Sequence, residues 1–77
     1  MKNHEVTLVN DVRVFERQDT ISRQLLRTDV SVKAGETIII SEPDSYIYDD
    51  RTQPAVSFIH EGQTYYLLGE ELGAVVR

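Results

Sequence analysis

The sequence lacks cysteine and tryptophan, and it contains only two prolines and four glycines among 77 residues. The absence of cysteine excludes a disulfide framework and thiolate chemistry. The longest aliphatic runs, such as Ile38 to Ile40, have three residues, whereas a membrane-spanning helix needs about 20. The start of the chain, MKNHEVTL, has one lysine and no hydrophobic region, which argues against a secretory signal. We therefore expect a cytoplasmic protein that does not bind membranes.

The distribution of charge restricts the kinds of partner that this chain can bind. A chain of this length is the size of one small domain, so we expect a single domain over residues 1–77. Residues 1–40 carry six basic and six acidic side chains, whereas residues 41–77 carry two basic and seven acidic ones. The net charge of −5 therefore lies entirely in the second half. This disfavours nucleic-acid binding, which needs clustered lysine and arginine.

Alternation of apolar and polar residues predicts strands along most of the chain. In EVTLVNDVRVF the even-numbered positions are apolar on both sides of Asn10-Asp11, where we expect a turn or a bulge. Residues 19–27 fit either a short capped helix or a loop. We favour the loop, because strands are predicted on both sides and a helix this short is marginal in water.

Glycine marks the first of two predicted turns. In SVKAGETIII, Gly35 lies between two β-branched runs, at a position where a tight turn needs a positive φ. We therefore predict that Gly35 has a positive φ in a turn between two strands. The next segment, SEPDSYIYDDRTQP, is interpreted as a polar connection with a short strand around Tyr46 to Tyr48.

The second turn, at Glu61-Gly62, predicts a hairpin in AVSFIHEGQTYYLL. Two registers remain open at this stage. A two-residue loop pairs His60 with Gln63 and puts Phe58 and Tyr65 on one face. A three-residue loop with a bulge instead sets Phe58 against Tyr66. After the hairpin, GEEL predicts one helical turn, and AVV predicts a last strand.

These elements add up to an all-β fold of five or six short strands with one terminal helical turn. So few strands hide their edges best as a small barrel. The apolar face of each predicted strand supplies the expected core, which consists of Val6, Leu8, Val12, Val14, Val32, Ile38, Ile40, Val56, Phe58 and Leu67.

The order of the elements resembles that of Src-homology-3 (SH3) domains. TDVSVKAGETIII is similar to the diverging turn of that family. VSFIHEGQTYYLLGEEL is similar to its distal hairpin, single-turn helix and last strand. The pair Val12-Arg13 resembles the end of the first strand in the bacterial branch. The resemblance covers residues 5–76 and implies an SH3-like β-barrel.

The residues with which eukaryotic members of this family bind peptides are missing from the chain. Eukaryotic members bind proline-rich peptides with an aromatic motif in the first strand, a tryptophan, and a proline and tyrosine at the helical turn. This chain has no tryptophan, and its turn reads Gly69 to Leu72 as GEEL. Members of the bacterial branch often bind cell-wall peptide as one module of a secreted enzyme, and no secretory signal is predicted here. Neither binding role is carried over.

No cluster of residues predicts catalysis or a cofactor. His4 and His60 lie far apart in the sequence, and the aspartates near Asp49 lack the glycine that a calcium loop requires. Ser57 and His60 are three residues apart on one strand, which places their side chains on opposite faces. We therefore expect a protein without enzymatic activity, cofactor or bound metal.

Tyrosines and acids in the second half predict a binding surface. Tyrosine combines rigid contact area with a hydroxyl group, which makes it common at interfaces. Half-buried strand tyrosines that cover a thin barrel are an equally good interpretation. The predicted surface binds a protein partner that is basic there, and it consists of Tyr46, Tyr48, Asp49, Asp50, Glu70 and Glu71.

Two other hypotheses use different features of the sequence. In the first, the protein mimics nucleic acid and blocks a DNA-handling protein, as some small phage-encoded inhibitors do. That function needs a denser set of acids than a net charge of −5 supplies, and it needs the acids in a row. In the second, an exposed barrel edge pairs with the same edge of another copy to form a homodimer.

Overall fold

A computed structural model describes residues 3–75 of the chain. These residues form seven strands and one helix: β1 His4–Thr7, β2 Val12–Arg17, β3 Leu25–Val32, β4 Thr37–Ile40, β5 Asp44–Tyr48, β6 Arg51–His60, β7 Gln63–Leu68 and α1 Gly69–Val75. The prediction of an all-β fold with a terminal helix is confirmed. The described strands number seven rather than five or six, because the first strand is divided around Asn10-Asp11 and the polar connection contains all of β5 and the start of β6.

The strands form two antiparallel sheets. One contains β1 and β4, and the other has the order β3-β2-β7-β6-β5. The edges of the larger sheet meet, since Gln24 forms a parallel bridge with Ile47 in β5. The N–H of Ile47 donates a hydrogen bond of 2.9 Å to the carbonyl of Arg23 at this junction. The sheet is therefore curled, which fits the small SH3-like architecture.

Two apolar clusters lie on opposite faces of the larger sheet. The first cluster contains nine of the ten predicted core residues, and the tenth, Val6, is half-buried against it. The second cluster was not predicted, and it contains Phe15, Leu25, Tyr46, Ala55, Tyr66 and Leu68. Successive residues of a strand point to opposite faces, so β7 supplies both clusters with consecutive side chains from Tyr65 to Leu68.

The first glycine turn has the predicted geometry, and the structure decides between the two registers left open at the second. Gly35 has a φ of 93° between β3 and β4, as expected. At the second turn, His60 pairs with Gln63, so the two-residue register is correct. Both central residues have positive φ, 52° at Glu61 and 81° at Gly62. This is the type I′ combination, whose twist matches that of the flanking strands.

The segment before β3 is a loop, as predicted, and not a helix. The carboxylate of Asp19 accepts hydrogen bonds from the backbone N–H groups of Ser22 and Ile21. These bonds stabilise the charged form and lower the pKa of Asp19. The resulting Asx-type turn satisfies these two N–H groups within the loop, so no helix is needed to pair them.

The end of the chain differs from the prediction, because α1 continues through Ala74 and Val75. The expected last strand at AVV is therefore wrong for these two residues, and Val76 lies outside the described part of the chain. Val75 is buried in the first cluster, with Leu72 packed against the same cluster from one turn earlier. Residues three apart in a helix lie on the same face, so Leu72 and Val75 both reach the first cluster when α1 continues to Val75.

Candidate functional site

The hairpin formed by β5 and β6 carries two of the predicted binding residues at its tip. Tyr48 pairs with Arg51, so Asp49 and Asp50 form a two-residue loop. Both aspartates are exposed, and both have positive φ, 56° and 60°. A type I′ turn strongly favours Asn-Gly, because L-residues are strained in this region. We call Asp49 and Asp50 the acidic tip.

Tyr46 lies in the core and not on the surface. Its ring packs 5.1 Å from that of Tyr66, and the guanidinium of Arg23 lies 4.3 Å from its centroid. Burial raises the pKa of the Tyr46 hydroxyl, and the neighbouring Tyr66 adds to the effect. Tyr46 therefore supports the hairpin from beneath, and its ring is not free to contact a partner.

Tyr48 is half-buried beside Phe15, with ring centroids 4.8 Å apart in an edge-to-face arrangement. The guanidinium of Arg27 lies 4.3 Å from the centroid of Phe15 on the same side of the sheet. Burial opposes the charge of Arg27, but the hydrogen bond to Glu71 and the nearby Tyr48 outweigh it and raise the pKa of Arg27. Arg27 thus connects Tyr48 with α1.

The two glutamates at the start of α1 lie next to this hairpin. Glu71 accepts a hydrogen bond of 2.6 Å from Arg27 through one carboxylate oxygen. The other oxygen of Glu71 is buried and has no hydrogen-bond partner among the described residues. Glu70 is exposed, and its carboxylate lies 4.0 Å from the guanidinium of Arg51. These contacts bring both glutamates close to the acidic tip.

Five of the six predicted site residues therefore share one end of the molecule, and only Tyr46 is separated from it by burial. Sequence reasoning missed the two arginines, Arg27 and Arg51, that lie among these acids. Arg27 and Glu71 are 44 positions apart, so no local pattern indicates their contact. The positive charges of these two arginines offset part of the negative charge of the acids in this region.

The residues considered for metal binding do not converge. His60 has its two ring nitrogens 4.0 and 3.9 Å from carboxylate oxygens of Glu36 and Glu61. Within residues 3–75, no group of three or more His, Asp or Glu side chains is arranged to hold a metal ion.

The hydroxyl of Ser57 lies 2.9 Å from that of Ser41, in a hydrogen bond between β6 and the residue after β4.

No protein-family model matches this chain, and neither a curated protein nor a solved structure is significantly similar to it. The likeness to SH3 domains therefore rests on the order of elements and on the short motifs alone. In the part of the chain that the structure describes, no helix has the length and hydrophobicity needed to cross a bilayer.

Proposed function

We propose that this protein is a non-enzymatic binding module that docks a basic surface of a protein partner through the acidic tip. Tyr48, Glu70 and Glu71 border the contact. The observation that carries the proposal is the backbone of Asp49 and Asp50, two consecutive non-glycine residues with positive φ.

Two aspartates are an unfavourable choice for a turn of this type. A left-handed conformation costs an ordinary L-residue about 1–2 kcal/mol, although aspartate tolerates it better than most. The sequence Asn-Gly would form the same turn with less strain. Strained residues of this kind concentrate at functional sites. The presence of two carboxylates at an unfavourable position supports a role for their charge.

The surroundings of the acidic tip suit a contact with cations. Among the described residues, neither Asp49 nor Asp50 forms an ion pair, so both carboxylates are available to a partner's lysine or arginine. The carboxylate of Glu70 is highly exposed, and its contact with Arg51, at 4.0 Å, is long for an ion pair. A cation of the partner can therefore replace Arg51 at this carboxylate. Tyr48 offers aromatic surface at the border. Charges at the edge of an interface mainly accelerate association.

Mimicry of nucleic acid is less well supported by the same contacts. A phosphate mimic needs an uninterrupted row of negative charges. Arg27 and Arg51 pair with the two glutamates beside the acidic tip, which breaks such a row. We therefore favour a local contact with a basic protein surface.

The test uses the variant Asp49→Asn/Asp50→Gly, which removes both charges and keeps the turn. Lysine at these positions would reverse the charge but would also strain the backbone, so it is the poorer variant. A partner is first captured from the source cells with the unmodified protein and identified by mass spectrometry. Association of the purified partner is then measured at several salt concentrations by surface plasmon resonance.

We expect association with the unmodified protein to slow as salt rises and the Asn-Gly variant to associate several-fold more slowly. The control is Glu16→Gln/Asp29→Asn, which removes two exposed acids elsewhere. Equal association rates for all three proteins, or rates that do not depend on salt, would show that the acidic tip only makes the protein soluble.

A further inference from the structure

A polar cleft of about 370 Å³ lies where β2 and β7 separate. Within residues 3–75, these two strands pair only at Phe15 and Tyr66, so their ends leave an opening beside this pair. The volume is within the range of roughly 300–1,000 Å³ that is usual for ligand sites. We call it the β2–β7 cleft, and its lining residues are Glu16, Arg17, Asp19, Thr20, Thr64 and Tyr66.

Tyr66 brings a polar group from the core to this cleft. The residue is only 7% exposed, and its ring packs against Tyr46 in the second cluster. Its hydroxyl has no hydrogen-bond partner among residues 3–75, yet the only fully buried side-chain oxygen without a partner in this range belongs to Glu71. The Tyr66 hydroxyl therefore reaches solvent, and it does so in the cleft that Tyr66 lines. A buried tyrosine usually has a partner for its hydroxyl, and here a ligand can supply it.

Two carboxylates give the cleft its negative charge. Glu16 is exposed and forms no ion pair with any described residue. One carboxylate oxygen of Asp19 accepts the N–H groups of Ile21 and Ser22, and the other has no partner in the described part of the chain. The same N–H groups lower the pKa of Asp19, so this carboxylate is charged at neutral pH. Both acids can therefore accept hydrogen bonds from a cation.

The guanidinium of Arg17 is engaged by the loop above the cleft. It donates to the carbonyl of Ser22 at 3.0 Å and to that of Thr20 at 3.3 Å, which holds the loop that carries Asp19. With two acids and one base, the lining has a net charge of −1, so it favours a cation over an anion. A metal ion fits poorly, because no three His, Asp or Glu side chains converge within residues 3–75. An organic cation needs fewer charged ligands.

An exposed aliphatic side chain borders the cleft on the side of β6. Ile59 is 66% exposed and lies directly opposite Thr64, so the two side chains share a face. Neighbouring strands are about 4.8 Å apart, which places Ile59 roughly 10 Å from β2, across β7. An alkyl chain can lie along Ile59 and Thr64 while a charged group at its end reaches the carboxylates. Lysine side chains bury their methylene groups on apolar surface in this way.

We propose that the β2–β7 cleft binds a primary alkylammonium group. The ammonium donates hydrogen bonds to the carboxylates of Glu16 and Asp19 and to the hydroxyl of Tyr66, and the alkyl chain lies on Ile59. Such a group occurs in free diamines and in the lysine side chains of proteins. The cleft and the acidic tip lie at opposite ends of β6, so this proposal does not depend on the proposed function.

The first test follows backbone amide shifts of the ¹⁵N-labelled protein by NMR as Nα-acetyl-lysine N-methylamide is added. We expect saturable shifts at Arg17, Thr20, Thr64 and Tyr66. The matched compound Nα-acetyl-norleucine N-methylamide has the same alkyl chain without the ammonium. It should bind about tenfold or more weakly, since it forms no charged hydrogen bond.

Two variants test the groups that hold the ammonium. Tyr66→Phe removes the hydroxyl and keeps the ring, and Asp19→Asn removes the charge and keeps an oxygen for the turn. Each should weaken binding of the lysine compound several-fold. Asp29→Asn, which removes an exposed acid on β3, should leave the affinity unchanged. The variant Asp49→Asn/Asp50→Gly should also leave it unchanged, so the two proposals can fail separately.

The source of the alkylammonium group is determined with 1,5-diaminopentane. Its second ammonium would lie beside Ile59, where no carboxylate lines the cleft. Tighter binding of the lysine compound than of the diamine identifies a protein lysine as the natural ligand. Tighter binding of the diamine identifies a free diamine.

Three outcomes would overturn the proposal. Equal affinity for the norleucine compound would mean that the ammonium is not recognised. Shifts that do not saturate would mean that the cleft does not bind the probe. Unchanged affinity in both Tyr66→Phe and Asp19→Asn would mean that the probe is attracted by the overall charge of the protein.

Discussion

Arg27 and Glu71 form an ion pair of 2.6 Å that connects β3 to the start of α1. Each side chain is less than one-third exposed, and Arg27 also lies over the ring of Phe15. Because the second carboxylate oxygen of Glu71 is buried without a partner, loss of Arg27 would leave that charge poorly compensated. The pair therefore has a structural role beside any role in binding.

A double-mutant cycle measures this role. For Arg27→Ala and Glu71→Ala, we expect a coupling free energy of about 1–2 kcal/mol in chemical unfolding, above the usual value for exposed pairs. The control cycle uses Arg13 and Asp29, whose side chains are 55% and 103% exposed. That pair should couple by less than about 0.5 kcal/mol. Equal coupling in the two cycles would contradict the structural role of Arg27 and Glu71.

Adjacent residues of β6 offer a direct test of the core. Phe58 is only 3% exposed and packs against Tyr65, whereas Ile59 points outward. We expect Phe58→Ala to lower the free energy of unfolding by roughly 3–5 kcal/mol. Ile59→Ala should change it by about 0.5 kcal/mol or less, as surface substitutions do. Urea denaturation of both variants checks the assignment. A Phe58→Ala protein whose free energy of unfolding is unchanged would refute it.

The first apolar cluster was predictable from sequence because its residues alternate with polar ones, as at Val12 and Val14. The second cluster was not, because Phe15 and the run from Tyr65 to Leu68 interrupt that alternation. A strand buried on both faces loses its period of two, so the pattern no longer identifies its faces. The hairpin at Asp49-Asp50 was not predicted either, because its turn lacks the glycine that usually marks such turns.

The same substitution should have opposite effects at two glycines. An added Cβ meets nothing within 4 Å at Gly35 or at Gly73, so steric contact does not decide either case. Gly35 has a φ of 93°, and Gly35→Ala should therefore destabilise the protein by about 1 kcal/mol. Gly73 is helical, and Gly73→Ala should stabilise it by up to about 1 kcal/mol. Thermal unfolding of both variants checks the signs, and a stabilised Gly35→Ala protein would contradict the turn.

The last prediction concerns acid and Asp44, at the start of β5. Its carboxylate accepts a hydrogen bond from the N–H of Ser45 and pairs with Arg23 at 2.7 Å. The N–H of Ser45, with the charge of Arg23 next in importance, lowers the pKa of Asp44 below its usual range. A carboxyl group with a lowered folded pKa stabilises the fold above its unfolded pKa, about 3.9, and loses that contribution as pH falls through the folded value.

Asp44→Asn should therefore lower stability at neutral pH, and the difference from the unmodified protein should shrink as pH falls below about 4. Urea denaturation at a series of pH values measures this difference. Arg23→Gln removes only the contribution of the guanidinium and leaves the N–H of Ser45 in place, so it should flatten the pH dependence in part. A difference that stays constant between neutral and acidic pH would show that the charge of Asp44 does not stabilise the fold.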